Sequence, residues 1–223
     1  MTSAQITVEL STIAIFVLTL LLTFFITREY AIKRARALLF WSLGLWLFVA
    51  GVALEIAFAF GVYNGWLANS YIVVVTLLVQ FLALGSMQLI NSAKLKKAYY
   101  GFCIVATAIL FYSVIAYPAA YILSSAGVAV KSTSLAATIA SLLITFPAAA
   151  ILVVVAALTY IKTRSLKMLS IIAGVIVVSA AGTLYIVSFP ALLYYSEFFG
   201  ILLLWLGFFD MHMLKPKGKL SIR

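Results

Sequence analysis

Cysteine and histidine each occur once in this chain of 223 residues, and acidic residues number only five. A lone cysteine, Cys103, can close no intramolecular disulfide and build no cysteine metal site; inside an apolar stretch it reads as a small buried hydrophobe. A lone histidine, His212, excludes paired histidine ligation of haem and a histidine-rich zinc or copper site. Asp210 and His212 diverge around a helix and lack a third ligand, so Asp210 is expected to form a salt bridge with a cytoplasmic Lys or Arg. The sequence has no Gly-rich phosphate loop, no Gly-x-Ser-x-Gly elbow and no Gly-x-Gly-Asp motif. No lysine lies midway along the last apolar stretch to hold a retinal Schiff base. No catalytic residue, metal site or cofactor is therefore expected.

Charge is equally scarce, at 9% of residues against 66% hydrophobic side chains, with a mean hydropathy of +1.24. This apolar content exceeds what a single water-soluble core can hide, so the solvent for most of the surface is expected to be lipid. A spanning helix needs about 20 mostly apolar residues to cross a hydrocarbon layer of roughly 30 Å. Stretches of that kind fall at about 10–27, 38–61, 70–90, 99–121, 134–160, 167–188 and 191–213. Lipid offers the backbone no hydrogen-bond partners, and runs this long exclude a barrel. The expected fold is all-α: a single seven-helix transmembrane bundle over 1–223, ending in a short basic tail at 214–223. The first eleven residues hold Glu9 and no Lys or Arg, unlike a cleaved signal peptide, so the first stretch is read as a retained helix.

The net charge of +10 need not mean nucleic acid, because the basic residues sit in short turns between apolar runs. Arg28, Lys33, Arg34 and Arg36 follow the first stretch, Lys94, Lys96 and Lys97 the third, and Lys162, Arg164 and Lys167 the fifth. The tail adds Lys215, Lys217, Lys219 and Arg223, so fourteen of fifteen basic residues share one side and only Lys131 lies on the other. The positive-inside rule then places the amino terminus outside and the tail in the cytoplasm, with anionic headgroups against the basic turns. Tyr63, Trp66, Tyr71, Tyr121, Tyr194 and Tyr195 near the outer ends, and Tyr30, Trp41, Tyr99, Tyr100 and Tyr160 near the inner ends, read as interfacial belts. Pro118, Pro147 and Pro190 sit near or within helices, where a missing N–H can bend the axis, and Pro216 ends the last one.

An ionisable residue within a bilayer costs about 2.5–3.5 kcal/mol at the centre, which makes each one a functional candidate, and three qualify: Glu55, Glu197 and Asp210. Glu55 and Glu197 both lie about six residues from the outer ends of their helices, roughly 9 Å deep at 1.5 Å per residue, and so share a layer. Thr76 and Gln80 fall in the same half. Ser134, Thr138, Ser141 and Thr145 follow an i, i+4, i+7, i+11 spacing that aligns four hydroxyls. Gly44, Gly51 and Glu55 share a face, pointing the glutamate at a close neighbour. Glu55, Gln80, Thr138, Ser141 and Glu197 are thus the candidate ligand- or ion-binding residues, lining a polar cavity open to the outside. The alternative is that the hydroxyls serve as packing contacts.

Two weaker patterns bear on function. Gly44, Ala50, Leu54 and Ile56 align without gaps with Gly174, Ala180, Leu184 and Ile186, and Leu84-Gly85 with Leu206-Gly207. That suggests a duplicated three-helix plan around one linking helix, although Leu, Ala and Gly match readily by chance. Phe40-Trp41 through Trp46, Gly51 and Glu55, followed by Leu84-Gly85-Ser86, resembles uncharacterised prokaryotic seven-helix integral membrane proteins and, distantly, the amino-terminal seven-helix sensor region of histidine kinases. The resemblance implies a sensor-like module in the plasma membrane. The expected function is a non-catalytic accessory subunit of a membrane complex or such a sensor. A proton- or cation-coupled transporter or channel working through Glu55 and Glu197 is the alternative, and a lipid-modifying enzyme the least favoured. Expected partners are the bilayer, anionic headgroups and other membrane subunits, with no nucleic acid.

Overall fold

The computed structural model describes the backbone of residues 3–60, 62, 64–118, 134–164, 170–171, 173–174, 177 and 190–209, and the side chains of these except at 3–11, 59, 163, 190–196 and 208–209. The protein is all-helical across those residues: α1 (Ser3–Lys33), α2 (Arg36–Ala59), α3 (Gly65–Met87), α4 (Ala93–Ala116), α5 (Leu135–Thr163) and α6 (Pro190–Phe209). Ser170, Ile171, Ala173, Gly174 and Val177, within the predicted 167–188 segment, are helical too. Five helices are long and apolar enough to cross a membrane, and the apolar stretch Glu197–Gly207 in α6 is shorter. The chain is a helical integral membrane protein in contact with lipid. Lys131, Asp210, His212, Tyr63 and Tyr121, the matches at Ala180, Leu184 and Ile186, and the basic tail lie outside the described residues, as do the side chains of Glu9, Tyr194 and Tyr195.

Several helices outrun the apolar cores that predict them. α1 continues to Lys33, where Lys33 Nζ lies 2.8 Å from Glu29 Oε2 one turn back; a backbone hydrogen-bonded within itself has no reason to stop where side chains turn polar. Termination needs a specific device. Arg34 and Arg164 adopt left-handed backbone (φ 50° and 51°), and their N–H groups donate to the Tyr30 and Tyr160 carbonyls at 2.8 and 2.7 Å, closing α1 and α5. At the opposite polarity, Asn64, Ser92 and Ser134 accept from the N–H groups of Trp66, Leu95 and Ala137 at 2.7, 3.3 and 3.1 Å, starting α3, α4 and α5.

Short turns make α1, α2 and α3 an antiparallel sheaf, with α3 also packed on α4 and α5, and α1 on α6. Small residues set the closest approaches, since lipid supplies no hydrophobic drive and association depends on fit. A Cβ on Gly44 would lie 3.1 Å from Leu82 Cγ and 3.2 Å from the Leu78 carbonyl. One on Gly85 would run into the Trp41 ring, whose indole N–H donates to the Leu82 carbonyl at 3.2 Å and the Ser86 hydroxyl at 3.3 Å. Trp41 and Tyr99 are therefore core residues, not belt residues: both belong to the buried cluster of Ile26, Leu45, Leu84 and Met87. Tyr100 is also turned inward, its hydroxyl taking a 2.6 Å bond from the Gln88 amide. By contrast Phe24, Ile104, Tyr112, Ile115 and Phe146 face outward from the bundle, as side chains wetted by lipid do.

A buried carboxyl pair as the candidate functional site

The α2–α3 hairpin builds the first half of the site. Glu55 precedes the turn by about as many residues as Tyr71 follows it, so antiparallel packing brings them level, and the Tyr71 hydroxyl donates to Glu55 Oε1 at 2.6 Å. Such a short bond to a carboxyl oxygen belongs to the stronger class. The Phe58 ring meets the Tyr71 ring edge-on at 5.8 Å and helps fix its position.

The second half comes from α6, where the Glu197 carboxyl faces the Glu55 carboxyl closely enough for the two charges to interact. Glu55 is 6% exposed and Glu197 7%. Among the described residues the backbones of α2 and α6 do not pack against each other, so the two side chains bridge a space that the main chains leave. The Oε2 atoms of both have no hydrogen-bond partner there, and no described Lys or Arg forms an ion pair with either. A buried polar atom without a partner in so apolar a setting is costly and calls for an explanation.

The other candidates lie elsewhere. Gln80 on α3 turns to α4, donating to the Cys103 carbonyl at 3.2 Å and accepting from the Thr107 hydroxyl at 3.0 Å. Ser141 on α5 shares a 2.7 Å hydroxyl bond with Thr76, which also donates to the Ile72 carbonyl. Thr138 is half-buried one turn earlier, and Ser134 is spent as the α5 cap. The structure thus joins Glu55 to Glu197 and places Gln80 and Ser141 in separate seams, each engaged with a neighbouring helix.

Sequence reasoning missed two residues. Tyr71 was assigned to the outer aromatic belt, although its depth relative to Glu55 across a short turn was the available signal. Glu29, beyond the predicted 10–27 stretch, is only 5% exposed and sits in the apolar span Thr12–Lys33. Among the described residues no three His, Cys, Asp or Glu side chains group as metal ligands. Comparison with protein-family models, with curated proteins and with solved structures finds no match to this chain.

Proposed function

We propose that the chain is a seven-helix protein of the cell membrane that moves protons, or a cation in exchange for protons, through the Glu55–Glu197 pair. The facing of two buried carboxyl groups is the observation behind this reading. Ionisable side chains kept inside a bilayer are costly, and ion paths and proton relays are among the roles they serve. Two facing buried carboxyl groups with no cation beside them cannot both stay ionised, so the pair holds at least one proton. When that proton leaves, the pair has no described Lys or Arg in ion-pair contact, and only another proton or a small cation can replace its charge. Tyr71 holds the Glu55 carboxyl still while this exchange takes place.

The remaining features of the proposal follow from the sequence. The 167–188 segment supplies the helix between α5 and α6, the amino terminus is outside, and the basic turns and tail meet anionic headgroups at the cytoplasmic face. Purified protein in liposomes loaded with a pH-sensitive dye should dissipate an imposed pH gradient. Glu55→Gln and Glu197→Gln should each abolish that flux, and Tyr71→Phe, which removes one charge-assisted bond, should slow it about tenfold. Wild-type flux in both glutamine variants would exclude the pair as the carrier. A second reading keeps the same pair in a sensor-like or accessory module, with its protonation transmitted through Tyr71 to the α2–α3 hairpin. That reading prevails if the wild type gives no flux but purifies in mild detergent with another membrane subunit.

A further inference from the structure

We infer that α1–α3 and the three helical segments from α5 to α6 are two copies of one unit, and that the carboxyl pair works by movement of one unit against the other. The second half of this inference rests on the proton-binding reading. The first half rests on contacts that recur at fixed offsets.

α1 and α5 end identically: Tyr30 and Tyr160 supply the carbonyl, Arg34 and Arg164 the left-handed residue, at an offset of 130 positions. The same offset relates Gly44 to Gly174. Gly44 is pressed against the Leu78 carbonyl and Leu82 Cγ; Gly174 is pressed against the Gly200 carbonyl and Leu204 Cγ, each at 3.1 Å. These partners are themselves related by an offset of 122, the value that also relates Leu84-Gly85 to Leu206-Gly207. Phe40 lies against Phe81, with ring centroids 6.3 Å apart, and the corresponding Ser170 donates to the Leu203 carbonyl at 2.7 Å.

Packing between the units repeats as well. α3 packs on α5 just as α6 packs on α1. The Trp205 indole donates to the Leu18 carbonyl at 3.1 Å across one of these seams, and the equivalent positions on the other, Ala83 and Ala148, are fully buried in one cluster. Chance identities in an apolar sequence do not also reproduce which atoms touch. Two seams related in this way imply a pseudo-twofold axis along the membrane normal, with α4 as the link, a plan found in transporters built from parallel repeats.

The repetition breaks at the site. Glu197 corresponds to Val75 and Tyr71 to Leu193, so the two carboxyls come from non-equivalent positions, one in each unit. A group shared between two rigid bodies is exposed on one side or the other when they rock. Tyr71 and Glu197 are the titratable side chains that face Glu55 among the described residues.

The test locks one seam. Thr76 and Ser141, whose hydroxyls are 2.7 Å apart between the units, are replaced as Thr76→Cys and Ser141→Cys in a Cys103→Ala background. The reduced protein should transport, the oxidised protein should lose most of its flux, and dithiothreitol should restore it. Spin labels at exposed Leu43 and Leu206, one in each unit, should change separation with pH, while labels at Leu43 and exposed Leu21 within the first unit should not. Infrared spectroscopy of the carboxyl stretch separates the two ideas. If the band titrates but cross-linking leaves flux intact, or both label pairs shift alike, unit motion is overturned and proton binding stands. If the band does not titrate in wild type, the proton-binding reading falls and takes unit motion with it.

Discussion

Gly85 leaves no room for a methyl group. Its missing Cβ is what lets the Trp41 indole lie across α3 and reach both the Leu82 carbonyl and Ser86. Gly85→Ala must push that ring away and break its hydrogen bonds, and overpacking of this kind costs about 1–3 kcal/mol. The melting temperature in detergent should fall accordingly, and Trp41→Phe should lessen the additional effect of Gly85→Ala because the two changes act on one contact. An unchanged melting temperature for Gly85→Ala would mean that the ring is not seated there. Trp41 and Tyr71 were misread for the same reason: an aromatic with a polar tip near a helix end suits the headgroup layer and an interior equally well, and only the neighbouring helix decides. Glu55 and Glu197 were legible because few apolar runs contain a carboxyl group, and their common depth followed from counting residues.

At the scale of helices, hydropathy reads the order of the described helices and, α1 apart, roughly their lengths, whereas it does not read their ends. The apolar run at 99–121 predicts a helix about six residues later than the observed start at Ala93, because Ser92 caps the helix and hydropathy does not register a first turn that carries Lys94, Lys96 and Lys97. The hydroxyl row on α5 was correctly periodic, yet periodicity cannot say that Ser134 would become a cap while Ser141 bonds Thr76. Caps are local and testable. Asn64→Ala removes the acceptor for the Trp66 N–H at the start of α3 and should cost about 0.5–2 kcal/mol. Asn64→Asp should retain most of it, and equal losses in the two variants would assign the effect to something other than the cap.

For the molecule as a whole, basic residues lie at one end of the helical sheaf: Lys33, Arg34 and Arg36 between α1 and α2, Lys94 to Lys97 at the start of α4, Lys162 and Arg164 at the end of α5. Because Cys103 is buried, single introduced cysteines can report sidedness against little background. Asn64→Cys should react with a membrane-impermeant maleimide on intact cells, and Lys94→Cys only after the membrane is opened. The reverse pattern would invert the topology. The duplication we infer is what sequence exposes least, because a handful of matching small residues says little without the atoms they touch.

The bond between Tyr71 and Glu55 also bears on biogenesis. The ribosome completes α2 and α3 about 110 residues before it reaches Glu197, so the nascent chain must hold the Glu55 carboxyl before the α6 carboxyl exists. An unpaired acid at that depth burdens translocon insertion by about 2.5–3.5 kcal/mol at worst. Because Tyr71 emerges only sixteen positions after Glu55, the phenol is the first group able to shelter it, and the hairpin can leave the translocon with its acid already hydrogen-bonded.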